Sequence, residues 1–124
     1  MSVVLRSTLL LLITLLGAHL GMAQEIGFSS SVDRNAIATG EYVKLTVSLS
    51  NSQEGFAAPS FGGLAVVQGP YENSSFNYVN GKMSSSVSKT WVLTATKAGK
   101  YTIAPAQVRV GGGVIQTEPI TITV

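Results

Sequence analysis

The chain has 124 residues, a formal net charge of +2, no cysteine and a single histidine. That histidine, His19, lies in an apolar leader, so the rest of the chain contains neither of these two residue types. The usual general base, the usual metal ligand and the strongest nucleophile are therefore excluded there. The composition favours a binding or structural module over an enzyme, and we expect no cofactor.

Residues 1–23 read as a secretory signal peptide. Arg6 precedes the apolar run at residues 9–16, and small residues lead to Ala23, after which we expect cleavage. The apolar run is shorter than the roughly 20 residues that cross a bilayer, and no cysteine follows it for lipid attachment. The alternative, an uncleaved amino-terminal anchor, would have to extend the apolar run through His19.

The segment after the leader, residues 24–124, is the size of one domain. Removing 23 leader residues from 124 leaves 101, which suits a single core. Without Arg6 the segment has 7 basic and 6 acidic residues, so nucleic acid and anionic membrane are poor candidate partners. An exported domain without cysteine has to be stable without disulfides, and we expect it in a Gram-negative periplasm.

Apolar residues alternate with polar ones along almost the whole segment, which predicts β-strands. Residues 26–32 form the first predicted strand. Residues 42–50 form the clearest one, because every second side chain from Val43 to Leu49 is apolar. The apolar run 64–67, closed by Gly69-Pro70, predicts an inner strand.

A tight hairpin is predicted around Asn80-Gly81, a dipeptide that accepts the positive φ angles of a type I′ turn. Its arms are residues 75–79 and residues 82 to about 95. Trp91 lies among the apolar positions of the second arm and is predicted to belong to the core. Lys89 shares that face, and we expect it at the rim with its ammonium in water.

Two prolines interrupt the alternation in the last third of the chain. The phase changes at Pro105, which predicts a bulge or a change of sheet, and again at Pro119. Residues 111–113 are three glycines and predict a turn between strands. The chain is thus predicted to be an all-β, immunoglobulin-like antiparallel β-sandwich of about seven strands.

Three aromatic residues in glycine- and proline-rich connections are candidate partner-binding residues: Phe56, Phe61 and Tyr71. Aromatic side chains that a rigid sandwich presents on loops are common interface anchors. The alternative is that they fold back and plug the open ends of the sandwich.

Catalytic interpretations are weak. No two carboxylates have a spacing that places them together on one strand face, so Asp33 is read as a turn residue. The serines at 84–86 and 88 have no histidine and no nucleophile elbow to activate them, and they are read as polar strand positions. If the protein were an enzyme, Asp33 and Glu72 would be the carboxylates to replace first.

Short motifs along the segment resemble the amino-terminal region of the BatD oxygen-tolerance family. They are SVDRN from Ser31, GE at Gly40, PSFGGL from Pro59, GP at Gly69, VNGK from Val79, WVL from Trp91 and GKYTIAPA from Gly99. The resemblance implies an exported bacterial protein, notably of Bacteroidetes, with tandem immunoglobulin-like domains followed by a transmembrane helix.

The resemblance also implies partners. Members are encoded beside von Willebrand factor A proteins, a tetratricopeptide protein and a MoxR-type ATPase, and they are linked to aerotolerance or envelope stress. This sequence has one sandwich and no membrane span after the leader, so both a fragment and a single-domain relative stay open. Membrane association would then come through partners or downstream segments.

We therefore expect a periplasmic, non-enzymatic protein-interaction domain that docks through its loops or through strand addition at a sheet edge. The first expected partners are von Willebrand factor A and tetratricopeptide proteins. The alternative is a β-sandwich that binds carbohydrate or an envelope polymer, with Tyr71, Tyr78 or Trp91 as a stacking platform.

Overall fold

The structure, a computed structural model, describes residues 25–124. The predicted signal peptide and its cleavage site at Ala23 lie outside the described residues. Over the described range the chain is all-β, which confirms the predicted fold class. The eight strands are β1 (Gly27–Val32), β2 (Tyr42–Ser50), β3 (Ala65–Val79), β4 (Lys82–Thr94), β5 (Lys100–Ile103), β6 (Gln107–Val110), β7 (Gly113–Gln116) and β8 (Ile120–Thr123).

The first layer is a four-stranded antiparallel sheet in the order β1-β2-β4-β3. In β2 the alternating apolar side chains are all fully buried, as the sequence pattern predicts, and the residues between them lie on the outer face. The β2–β4 register runs from Tyr42 opposite Thr94 to Ser50 opposite Ser86. Trp91, on β4, is 3 % exposed, which confirms its place in the core.

The second layer consists of two antiparallel pairs, β5 with β8 and β6 with β7. The chain passes from one pair to the other at residues 104–106, so the phase change at Pro105 is a change of sheet, as predicted. Ile103, Val108 and Ile122 from this layer pack against the buried face of the first layer in one core. Burial of such side chains contributes about 1.5–3 kcal/mol each.

The hairpin predicted at Asn80-Gly81 is present and is longer than expected. Asn80 has φ 53° and Gly81 has φ 76°, both in the region that a type I′ turn needs. The first arm is the 15-residue strand β3, which includes residues 65–67 of the predicted inner strand, whereas Leu64 precedes β3 and is buried. That prediction is wrong in its placement, because β3 lies at the edge of the sheet and every one of its residues is exposed.

The edge position explains how β3 continues through Gly69-Pro70, where we expected it to stop. A proline lacks an N–H and is tolerated at a sheet edge, where that donor would face solvent. The register shifts twice between Val66 and Tyr71 and then runs without interruption to Val79. β3 therefore has an irregular first part and a regular second part.

Candidate docking surface

The second part of the β3–β4 hairpin extends beyond the rest of its sheet. β2 ends at Ser50, opposite Ser86, and the Asn51 amide still donates to the Ser85 carbonyl at 2.8 Å. The first three residues of β4, Lys82 to Ser84, pair only with β3. At roughly 3.3 Å per residue, the hairpin projects about 10 Å past its neighbour strand.

The inner face of the hairpin continues the face that forms the core. Residues directly opposite one another in an antiparallel pair share a face. Trp91 and Leu93 are on the buried face of β4, and the same alternation places Lys89, Val87, Ser85 and Met83 on it. Their opposite residues on β3 are Glu72, Ser74, Phe76 and Tyr78.

Towards the turn, three apolar side chains of this inner face are exposed. Phe76 is 59 % exposed, Tyr78 67 % and Met83 55 %. Tyr78 lies directly opposite Met83, and Phe76 is two residues away on the same strand. We call these three side chains the hairpin patch. A contiguous apolar patch on a soluble domain is typical of an interaction site.

A shallow groove borders the hairpin patch. One part of the groove, of about 240 Å³, lies between Phe76, Met83 and the loop at residues 51–53. A second part, of about 260 Å³, reaches towards Val87 along the same face. Ser52 and Gln53, from the loop that follows β2, line both parts of the groove.

The outer face of the same hairpin is mostly polar, with Tyr71 and Val79 as its exposed apolar side chains. Ser75 and Ser86, directly opposite each other, are joined through their hydroxyls at 2.6 Å. Thr46 and Thr90 make a similar contact at 3.2 Å. The serines at 84, 86 and 88 are thus strand residues of this face, which confirms the prediction that they are polar strand positions.

The regular second part of β3 is an unprotected sheet edge. Within residues 25–124, β3 pairs with β4 alone. Sheet edges are usually protected by charges, prolines or bulges. The first part of β3 has Pro70 and both register shifts, whereas residues 71–79 have neither and carry only one charge, on Glu72.

The predicted contact aromatics do not form this surface. Phe56 is only 5 % exposed and packs edge-on against Phe28 with ring centroids 5.3 Å apart. Phe61 is half-buried, 5.7 Å from the Trp91 ring. Both rings close the sandwich, in line with the alternative expectation, so neither ring presents an open contact face. Tyr71 is exposed, but it lies on the outer face with its hydroxyl donating to Gln68 at 3.0 Å.

The three rings considered for a carbohydrate platform do not share a surface. Trp91 is buried. Tyr71 and Tyr78 are exposed, but they are seven steps apart along the regular part of β3, and an odd number of steps places them on opposite faces. The geometry therefore gives no common stacking plane.

Phe76 and Met83 were missed by the sequence analysis. Phe76 and Tyr78 are in phase with each other, and pairing across Asn80-Gly81 places both on the side of Trp91. Counting that phase through the turn could have found the patch. Its exposure could not have been found, because it depends on where β2 ends.

The carboxylates singled out as catalytic alternatives have structural contacts or lie apart. An oxygen of Asp33 accepts the Lys44 amide at 2.8 Å, which closes the β1–β2 connection. Glu72 lies on the β3 edge, on a different strand from that connection. Within residues 25–124 there is no group of three or more histidine, aspartate, glutamate or cysteine residues that could hold a metal ion.

Residues 25–124 include no helix of the length and apolarity that a membrane crossing requires. In comparisons with known proteins, a family model described as BatD DUF11 like domain matches residues 30–124. No curated protein matches the chain. No solved structure matches it either.

Proposed function

The chain belongs to the BatD family, and from that membership we propose that it is an exported, non-enzymatic interaction domain. In this proposal the domain docks onto partners of a membrane-associated assembly that is linked to oxygen tolerance or envelope stress. The proposed partners are von Willebrand factor A and tetratricopeptide proteins, and the proposed location is the periplasm. The observation that carries the proposal is the hairpin patch, an apolar continuation of the core that the domain itself leaves uncovered.

The energetics favour a protein surface as the occupant of the patch. Covering an aromatic or methionine side chain contributes about 1.5–3 kcal/mol for full burial. Phe76, Tyr78 and Met83 are each more than half exposed, so covering them supplies several kcal/mol in total. Interfaces draw most of their affinity from a few such central side chains.

The patch also suits docking because of what surrounds it. Between Tyr71 and Val79 the outer face carries polar residues, and the loop at residues 51–53 lines the groove beside the patch. The three neighbouring exposed apolar side chains of the hairpin are therefore those of the inner face, and a partner that covers them lies beside the β3 edge. The projection past β2 leaves this region accessible without disturbing the core.

The test is crosslinking of the tagged full chain in the source bacterium, followed by mass spectrometry of the proteins that co-purify. The variant Phe76→Ser with Tyr78→Ser removes the patch. The control is Tyr42→Ser, which changes an equally exposed aromatic residue on the outer face at the other end of β2. We expect von Willebrand factor A or tetratricopeptide proteins with the unaltered chain and the control, and their loss with the double variant. Equal recovery from all three proteins, or recovery of envelope polymer alone, would contradict the proposal.

A further inference from the structure

The free edge of β3 presents a defined set of backbone groups. A two-residue hairpin loop is closed by a hydrogen-bonded residue pair, here Val79 and Lys82. Hydrogen-bonded and non-hydrogen-bonded pairs then alternate along the arms. The N–H and C=O groups that face away from β4 belong, in the regular part, to Tyr78, Phe76, Ser74 and Glu72.

The same four residues have their side chains on the inner face. A strand added antiparallel to this edge would hydrogen-bond to their backbone groups, and its own side chains would lie directly opposite theirs, about 4.5–5.5 Å away between Cβ atoms. The side chains of an added strand would thus extend the hairpin patch at Tyr78 and Phe76 and meet a carboxylate at Glu72.

Within residues 25–124, Glu72 forms no ion pair. Lys89 is directly opposite it on β4, but its ammonium donates to the Phe56 carbonyl at 2.9 Å. Among residues 25–124 the ion pair that forms is Arg34 with Glu41. A basic side chain on an added strand would therefore meet a carboxylate that has no ion pair within residues 25–124.

We propose that the β3 edge binds an extended segment of a partner protein that runs antiparallel to β3, with apolar side chains opposite Tyr78 and Phe76 and a lysine or arginine opposite Glu72. From its amino end, the partner segment therefore has an apolar residue, one residue of any type, a second apolar residue, three residues of any type and then a lysine or arginine. The inference rests on the proposed docking function and names the partner's chemistry.

Charge complementarity selects this occupant over a second copy of the chain. Ala65–Val79 contains no lysine or arginine, so an antiparallel pair of two β3 strands cannot place a cation opposite Glu72. An anionic lipid surface is disfavoured for the same reason, because Glu72 would face it.

The first test is titration of the isotope-labelled full chain with a synthetic peptide, acetyl-Thr-Val-Thr-Ile-Thr-Ser-Thr-Lys-Thr-amide, read by amide hydrogen exchange. We expect slower exchange at Ser74, Phe76 and Tyr78, and no change at Ser75 and Asn77, whose amides already bond to β4. A control peptide with glutamate in place of lysine should bind roughly fivefold more weakly. The Glu72→Lys variant should reverse that preference.

The second test blocks the edge. Ser74→Pro removes an outward N–H without removing a bond to β4, since proline is tolerated at a sheet edge, and Ser74→Ala is the control that keeps the N–H. We expect Ser74→Pro to abolish peptide binding and Ser74→Ala to retain it, with unchanged thermal unfolding in both. If Ser74→Pro does not fold, the charge reversal at Glu72 decides the question.

Three outcomes would overturn the inference: equal binding of both peptides, protection outside the β3 edge, or a concentration-dependent dimer that protects the same amides without peptide. The crosslinking experiment separates this inference from the docking function. Partners lost on Phe76→Ser with Tyr78→Ser but kept on Ser74→Pro would leave docking standing and overturn strand addition. No partner with the unaltered chain would count against docking itself.

Discussion

The ammonium of Lys89 donates to the backbone carbonyl of Phe56 at 2.9 Å and lies 4.8 Å from the centroid of the same residue's ring. This contact explains how a lysine occupies an otherwise apolar face. We expected its ammonium in water; its half-buried stem lies at the rim as expected, but the charge is used to hold the loop between β2 and β3. The contact thereby helps to seat Phe56 against Phe28.

Replacing Lys89 by methionine should lower the free energy of unfolding by about 1–2 kcal/mol. The variant keeps an unbranched side chain but loses a charge-assisted hydrogen bond and a cation–π contact. Urea denaturation of the variant is the measurement, with Lys97→Met at an exposed position as the control. Equal stability of the two variants would show that the Lys89 contact contributes nothing.

Thr117 is the buried polar side chain of the core, and its hydroxyl accepts the Ala106 amide at 2.8 Å. Thr117→Val keeps the shape but leaves that buried N–H without its acceptor, so we expect a loss of about 1–3 kcal/mol. Thr121→Val is the control, because its hydroxyl contact with Thr102 is exposed. Chemical denaturation should separate the two, and a Thr117→Val protein as stable as the control would contradict the role of this bond.

Gly69 is required by the close approach of the β3 bulge to β4. A Cβ atom there would lie 2.6 Å from the Thr90 carbonyl oxygen, and φ is +104°, which L-residues rarely adopt. We expect Gly69→Ala to destabilise the fold by about 2 kcal/mol or more. Gly112→Ala, where the space is open, should have little effect. Thermal unfolding of both variants checks this, and a similar midpoint for both would disprove the steric argument.

Asp33 acts as an acceptor for the Lys44 amide. Asp33→Ala should therefore cost about 1 kcal/mol of stability, whereas Asp33→Asn retains an oxygen acceptor and should cost less. Equilibrium denaturation of both variants is the measurement. A variant that lost an enzymatic activity while keeping full stability would instead give this carboxylate a catalytic role.

The alternation of apolar and polar residues predicted the strand faces well, because the side-chain period of a strand is a local property. The same holds for the Asn80-Gly81 turn, whose φ angles depend on two residues. The prediction that residues 64–67 form an inner strand was wrong, because a short apolar run can lie on either an inner or an edge strand. Only the order β1-β2-β4-β3 places it at the edge.

The aromatic residues of the loops also show which properties are local in sequence and which depend on the tertiary structure. Phe56 and Phe61 were singled out because they lie in glycine- and proline-rich connections. Whether such a ring contacts a partner or packs against the core depends on its distance to Phe28 or Trp91 across the fold. Phe76 is the converse case, a strand residue in phase with the core that the fold leaves uncovered.

By itself the sequence determined the all-β class, the lack of cysteine and histidine in residues 24–124, the hairpin turn and the alternating faces of β2 and of the Trp91 end of β4. These properties follow from residue type and from interactions within a few residues. Only the tertiary structure decided that β3 is a free edge within the described residues, that the hairpin extends past β2 and that the Lys89 ammonium bonds to Phe56 and forms no ion pair with Glu72. Those properties depend on contacts between segments that are distant in sequence: the position at which β2 stops pairing with β4, and the contact of Lys89 with Phe56. Local sequence patterns do not encode such contacts.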